Sequence, residues 1–330
     1  MRPPKGAQLF RPAWWCRGPH GQTLAGALLR RRIRLPDLRR EPWETPDGDF
    51  LEVDQLPGGA DGPILVILHG LEGSSSTPQV RGFLAGANRR GWRALAVNFR
   101  SCGGRTNRLR RSYHGGDTAD LHWILQRSVA SHPHTTIFCL GLSLGGNVLL
   151  KYLGEQANAA LPAVKAAAAI CAPFDLAASA AAFEADFWNR VYMRRLVRSL
   201  KRKTCAKLRS FPDLVDAQRL EKVRTIRDFD ALVTAPANGF PSADAYWSAS
   251  SCAPFLPLIR RPVLLINALD DPLVPAHTLP RAAVAANPQL APLFPRHGGH
   301  LGFIAGRFPT RPVFWAEEAI FDFFTRTPGA

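Results

Sequence analysis

The chain has 330 residues, 46% hydrophobic and 21% charged, the composition of a soluble globular protein with enough apolar mass for one large core or two modest ones. Its 42 Lys and Arg against 26 Asp and Glu give a formal charge of +16, which favours anionic surfaces and ligands. No aromatic stacking array accompanies that charge, so specific nucleic-acid binding is not expected. The six cysteines form no C-x-x-C pair and several sit in apolar runs, which fits a reducing compartment and argues against a structural zinc.

Residues 1 to 40 are rich in Pro, Trp and Arg. The opening "MRPPKGAQLFRPAWWCRG" lacks the continuous apolar core of a secretory signal, and no run reaches the ~18 apolar residues of a membrane span, so a cytoplasmic location is expected. "GQTLAGALLRRRIRLP" accommodates a short helix, and the D-G pair in "EPWETPDGDFLEVDQLP" predicts a hairpin. Continuous apolar runs follow at 64–68, 94–99, 136–141, 164–170, 262–267 and 290–294. Between them lie helix-spaced stretches such as "TPQVRGFLAGANRRG" and "DTADLHWILQRSVASH". Strands buried on both faces read as unbroken apolar runs, so this alternation predicts a mostly parallel, doubly wound α/β sheet. The alternation breaks between Pro173 and Leu258, where a helical cap inserted late in the sheet is expected. Within it, residues 190–209 carry nine basic side chains and no acidic one, with Val191, Leu196, Val197 and Leu200 expected to form one apolar face.

The chemistry is expected in the loops. "FCLGLSLGGN" places Ser143 between Gly141 and Gly145, after a strand and before a helix. In a nucleophile elbow the turn is so tight that glycines must flank it, and the serine is pushed out above the sheet; the plainer alternative is an N-cap serine. A serine needs a base oriented by an acid, in the chain order Ser, acid, His. "LLINALDDPLVP" supplies the acid, Asp271 ahead of Asp270, and "FPRHGGHLGFI" supplies the base, His300 ahead of His297. After "ILVILHG" the glycine at 70 lets the backbone amide of Leu71 face inward beside that of Leu144, a pair of donors for an oxyanion. The histidines lack metal-ligand spacing, and the chemistry calls for no cofactor.

The blocks "FRPAWWCRGPHGQTL", "LHGLEGSSSTPQVRGF", "NFRSCGGRTNRLRRSYHGGDTADL", "GLSLGGN", "NALDDPLVP" and "GGHLGFI" resemble those of the YheT-like bacterial hydrolases and their eukaryotic abhydrolase-domain relatives, within the α/β-hydrolases. The resemblance implies an α/β-hydrolase core at 1–172 and 259–330 with the cap at 173–258. It also implies a carboxylic-ester hydrolase with nucleophile Ser143, acid Asp271 and base His300. Ser101 stands where the family usually has glycine, and Arg105 where an acidic residue is common. Arg100, Cys102, Arg108, Tyr113 and His114 in that block are expected either to line the pocket or to tie the loop together; Cys102 has no evident base–acid partner. The expected function is cleavage of carboxylic esters of short to medium acyl chain through an acyl-enzyme. The same triad would also serve a phospholipase, thioesterase or amidase, and the alternative from another class is a binding protein without turnover. The expected partner is an ester or lipid-like small molecule; the basic cap segment reads first as a solvated helix face, with peripheral contact with an anionic membrane as the functional alternative.

Overall fold

The computed structural model describes residues 10–30, 33–59 and 61–327; the first nine residues, half of the stretch read for a secretory signal, lie outside them. The chain enters through helix α1 (Pro19–Leu28) and the hairpin β1 (Arg39–Glu44) and β2 (Phe50–Leu56). The predicted D-G turn closes that hairpin, with Gly48 at φ +80° and its amide donating to the Thr45 carbonyl at 3.0 Å. Then strands and helices alternate: β3 (Ile64–Leu68), α2 (Pro78–Asn88), β4 (Arg93–Asn98), α3 (Ala119–Ser131), β5 (Ile137–Leu142), α4 (Leu144–Gln156) and β6 (Val164–Ile170). Helices α5 (Leu176–Ala182) and α6 (Phe187–Lys207) and shorter helical turns fill the interval before β7 (Val263–Ile266), and no strand of the described residues interrupts it. The last strand of the main sheet is β8 (Leu290–Leu293), and helix Trp315–Thr325 closes the described chain.

All six apolar runs are strands of one eight-stranded sheet in the order β1-β2-β4-β3-β5-β6-β7-β8. β2 pairs antiparallel with β1 and β4, and every later pairing is parallel. This is the α/β-hydrolase fold, with a helical cap inserted between the sixth and seventh strands. Successive side chains of a strand point to opposite faces, and both faces are covered. Ile64, Val66 and Leu68 of β3 pack with α4 and the cap helices on one side. Leu65 and Ile67 pack with α2 and the C-terminal helix on the other, where Phe138 stacks on Phe324 at 4.7 Å between ring centroids. Full burial of such a side chain contributes about 1.5–3 kcal/mol, so an unbroken apolar run is what a strand covered on both faces requires.

One buried charge cluster locks the hairpin to the loop after β4. Arg100 is 1% exposed, and its guanidinium donates to Asp49 at 2.7 Å and to both Asp120 oxygens at 2.6 and 2.8 Å. Asn107 adds a bond to Asp49 at 2.6 Å. Three elements distant in sequence therefore share one set of desolvated charges, and losing the central cation would leave carboxylates buried without a partner, commonly a loss of about 3–5 kcal/mol.

The cap helix differs from expectation at one position. Val197 is buried, and Leu196 and Leu200 pack on the core, but Val191 is 37% exposed. At 3.6 residues per turn, Val191 and Val197 stand about 120° apart and cannot share one face. Among the described residues, no helix is long and apolar enough to cross a membrane.

Candidate active site

Three loops from the carboxyl edge of the sheet meet over β5. Ser143 follows that strand at φ 51° and ψ −120°, a strained conformation for a residue with a side chain. Its neighbours explain how the strain is tolerated. A Cβ on Gly141 would lie 2.4 Å from the Gly145 carbonyl oxygen, and one on Gly145 would lie 2.5 Å from that of Leu68. Only glycines permit this elbow. The Ser143 carbonyl then accepts from Gly146 at 2.8 Å and begins α4, while the side chain is left free to face the cavity.

His300 Nε2 lies 3.0 Å from Ser143 Oγ, and its Nδ1 lies 2.9 and 3.1 Å from the two oxygens of Asp271. A proton on Nδ1, donated to Asp271, leaves Nε2 as the acceptor for the serine hydroxyl. The Asp271 side chain is fully buried and also accepts from the amides of Leu273 and Val274 at 2.8 and 3.1 Å, so two rigid donors fix its plane. Asp270 points elsewhere. It accepts from the Gly299 amide at 2.9 Å and lies 3.2 Å from Nδ1 of the exposed His297, bracing the His300 loop from outside.

The turn after β3 is equally determined. The Phe99 amide donates to His69 Nε2 at 3.1 Å, so His69 carries its proton on Nδ1, 2.7 Å from the Gly70 carbonyl. Burial pushes the His69 pKa down to about 4 and keeps the ring neutral. The Gly73 amide donates to the same carbonyl at 3.0 Å. A trans peptide sets N–H opposite C=O, so fixing the Gly70 oxygen aims the Leu71 amide the other way. Gly70 itself lies against Ser143: a Cβ there would be 3.0 Å from Ser143 Cβ. The Leu144 amide heads α4, where first-turn N–H groups have no acceptor within the helix.

The next residue ties this turn to the cap. Glu72, at φ 55°, buries its carboxylate 3.0 Å from Lys203 of α6 and 2.9 Å from the donating Tyr113 hydroxyl. Lys203 also lies 3.0 Å from Cys102, whose thiol is pushed up to about 11 by burial. Tyr113 and Cys102 thus tie the loop together, as does Arg108, which pairs with Glu44 at the surface; His114 lines the cavity. At the far end of α6, Lys207 donates to the carbonyls of Leu109, Arg110 and Arg111 at 2.7, 2.8 and 2.6 Å, and burial lowers its pKa to about 8.

Sequence reasoning missed the supports of the loop that carries His300. Thr23 Oγ of α1 accepts from the His300 amide at 2.9 Å, and the Cys171 sulfur accepts from Leu301 at 3.2 Å. Gln22, wholly buried, accepts from the Ile304 amide at 2.6 Å and donates to its carbonyl at 3.0 Å. The block "GPHGQTL" held the signal, since it supplies both side chains.

The cavity above Ser143 is walled by the cap, with Leu176, Phe183, Leu200, Phe229 and Val233 making most of the contact surface apolar. A carboxylate of the cap interrupts that wall. Asp230 lies in a turn of π-helix (Asp230–Thr234), accepts from Thr234 at 2.7 Å and Trp247 Nε1 at 2.8 Å, and forms no ion pair among the described residues. Burial pushes its pKa up from 3.8 to about 6. A carboxyl with a raised folded pKa adds stability below its unfolded pKa and loses it as pH rises through the folded one. Asp230→Asn is therefore expected to remove a slope: wild type minus variant, measured by urea unfolding, should fall by roughly 2–3 kcal/mol from pH 4 to pH 7. A difference that stays constant across that range would show that the carboxyl does not titrate there.

The family model for the alpha/beta hydrolase fold matches residues 63–306. YheT of Escherichia coli (strain K12) is 37% identical over 311 residues, covering 93% of this chain and 90% of that protein. Medium-chain fatty acid ethyl ester synthase/esterase 2 of Saccharomyces cerevisiae is 32% identical over 289 residues, 81% of this chain and 62% of its own length. Among solved structures, Pyrococcus furiosus esterase Pf2001 superposes with a TM-score of 0.57 at 17% identity, over 88% of this chain and 91% of that one, a likeness of fold.

Proposed function

Since the chain belongs to the α/β-hydrolase fold family and is a carboxylic ester hydrolase of its esterase and lipase type, we propose that Ser143, His300 and Asp271 cleave esters of short to medium acyl chain. The observation that carries this is the unbroken series from hydroxyl to imidazole to carboxylate, 3.0 and then 2.9 Å. Ser143 Oγ attacks the ester carbonyl and passes its proton to His300 Nε2. The carbonyl oxygen becomes an oxyanion held by the Leu71 and Leu144 amides; one such donor is commonly worth about 3–4 kcal/mol in the transition state. Collapse breaks the bond to the alcohol, which leaves with the proton from His300, and the acyl group stays on Ser143. Water, deprotonated by His300, then releases the acid and restores the serine. Asp271 holds the Nδ1–H tautomer throughout and stabilises the imidazolium.

The cap at 173–258 sits over a core drawn from the described residues of 1–172 and 259–330. Its apolar wall suits an alkyl chain, and its basic face adds a peripheral contact with anionic lipid. Kinetics on p-nitrophenyl esters from acetate to palmitate, beside a long-chain phospholipid, test the substrate range. The highest kcat/KM is expected at short to medium chains. A preference for the phospholipid over every soluble ester would overturn that assignment and leave the triad in place.

A further inference from the structure

The cap carries a surface that ester hydrolysis does not use. At 3.6 residues per turn, α6 turns Phe187, Val191, Arg194, Arg195, Arg198 and Arg202 to one outward face, and all six are exposed. In its first turn Phe187 is 67% exposed and Trp188 47%, their rings meeting edge to face at 5.6 Å. Trp188 also packs near His20 of α1, with 6.2 Å between ring centroids. One and two turns further along that side of α1 stand Leu24 and Leu28, 40% and 50% exposed. Two helices thus present an apolar edge that gives way along α6 to arginines, with no acidic side chain from 187 to 207. Single exposed apolar residues are ordinary, but a cluster rimmed by charge marks an interaction surface.

The position of this surface matters. α1 holds the base loop through Thr23 and the His300 amide, and α6 holds the acid loop through Asn189, which donates to the Pro272 carbonyl at 2.8 Å. Both helices therefore touch the loops that carry the reacting groups.

We infer that this face docks the protein onto an anionic lipid bilayer, the apolar edge entering the interface and the arginines meeting headgroup phosphates. Charge selects the occupant. The chain carries a formal +16, and Arg194, Arg195 and Arg198 form no ion pair among the described residues. Each basic side chain near an anionic leaflet adds attraction that fades within a Debye length. A second copy meeting this face about a two-fold axis would press the same arginines together. The inference rests on the proposed ester hydrolysis only for its purpose, presenting a lipid-like ester to Ser143.

Flotation with vesicles of two parts phosphatidylcholine to one part phosphatidylglycerol, against phosphatidylcholine alone, tests it. The wild type is expected to bind the anionic vesicles at least about tenfold better, the advantage shrinking in high salt. Arg194→Glu with Arg198→Glu, and separately Phe187→Ser with Trp188→Ser and Val191→Ser, should each lose roughly that factor. Both variants should hydrolyse a soluble short ester as the wild type does. Ser143→Ala should float like the wild type, so a failed triad and a failed docking face give different results. A wild type without preference for anionic vesicles, or variants that bind them undiminished, would overturn the inference. So would variants that merely split a dimer which itself binds no vesicle.

Discussion

Ser143→Ala is expected to lower kcat on a soluble p-nitrophenyl ester by about 10⁵-fold or more and to abolish labelling by a fluorophosphonate. The size of the loss follows from geometry. The hydroxyl lies within hydrogen-bond reach of His300 Nε2, at 3.0 Å, and water admitted in its place would lack the fixed approach that makes attack effectively unimolecular. The fold should survive, because the backbone of Ser143, and not its hydroxyl, holds the elbow. Its amide donates to the Ile170 carbonyl at 2.9 Å and its carbonyl accepts from Gly146. Alanine meets the same φ of 51° with the same Cβ. Circular dichroism and thermal unfolding of the variant should match the wild type. Residual turnover within a factor of ten of wild type, in folded protein, would remove the serine from the mechanism.

Asp271→Asn is expected to cost about 10⁴-fold in kcat, in line with the loss of an acid that fixes an imidazole tautomer. The Leu273 and Val274 amides at 2.8 and 3.1 Å would hold the asparagine oxygen and turn its NH₂ group toward His300 Nδ1. The imidazole would then accept at Nδ1 and carry its proton on Nε2, the nitrogen that must receive the proton of Ser143. The neighbouring substitution separates chemistry from support. Asp270→Asn keeps an acceptor for the Gly299 amide and alters only a partly exposed contact with His297, so kcat should change by less than about tenfold. Equal losses at both positions would mean that the acid was assigned to the wrong residue of the pair.

The parts legible in the sequence are those with a local pattern. Strands β3 to β8 show as apolar runs because each is covered on both faces, and the elbow shows because its turn admits only Gly141 and Gly145. Asp271 and His300 could be named because each follows a strand at the same sheet edge. The supports of those residues left no such mark. Thr23 and His300 are 277 positions apart, Gln22 and Ile304 are 282 apart, and no periodicity connects them. Cys171 looks like one more small hydrophobe until its sulfur is seen under the Leu301 amide. The apolar face expected of α6 fails at Val191 for a different reason: the angle around the helix axis, and not hydrophobicity, decides which side chains share a face. The Asp230 carboxylate is invisible for the same kind of reason, since its burial depends on Trp247 and on a local widening of the helix to π geometry.

The clasp between α1 and the His300 loop also joins segments that are made far apart in time. Thr23 leaves the ribosome long before His300, and at about 5–20 residues per second the interval between them is roughly 15–55 s. Throughout that time α1 lacks its mate, and once residues 141–170 have emerged the elbow stands with no imidazole beside its hydroxyl. The proposed triad is therefore complete only once a late segment folds back onto an early one.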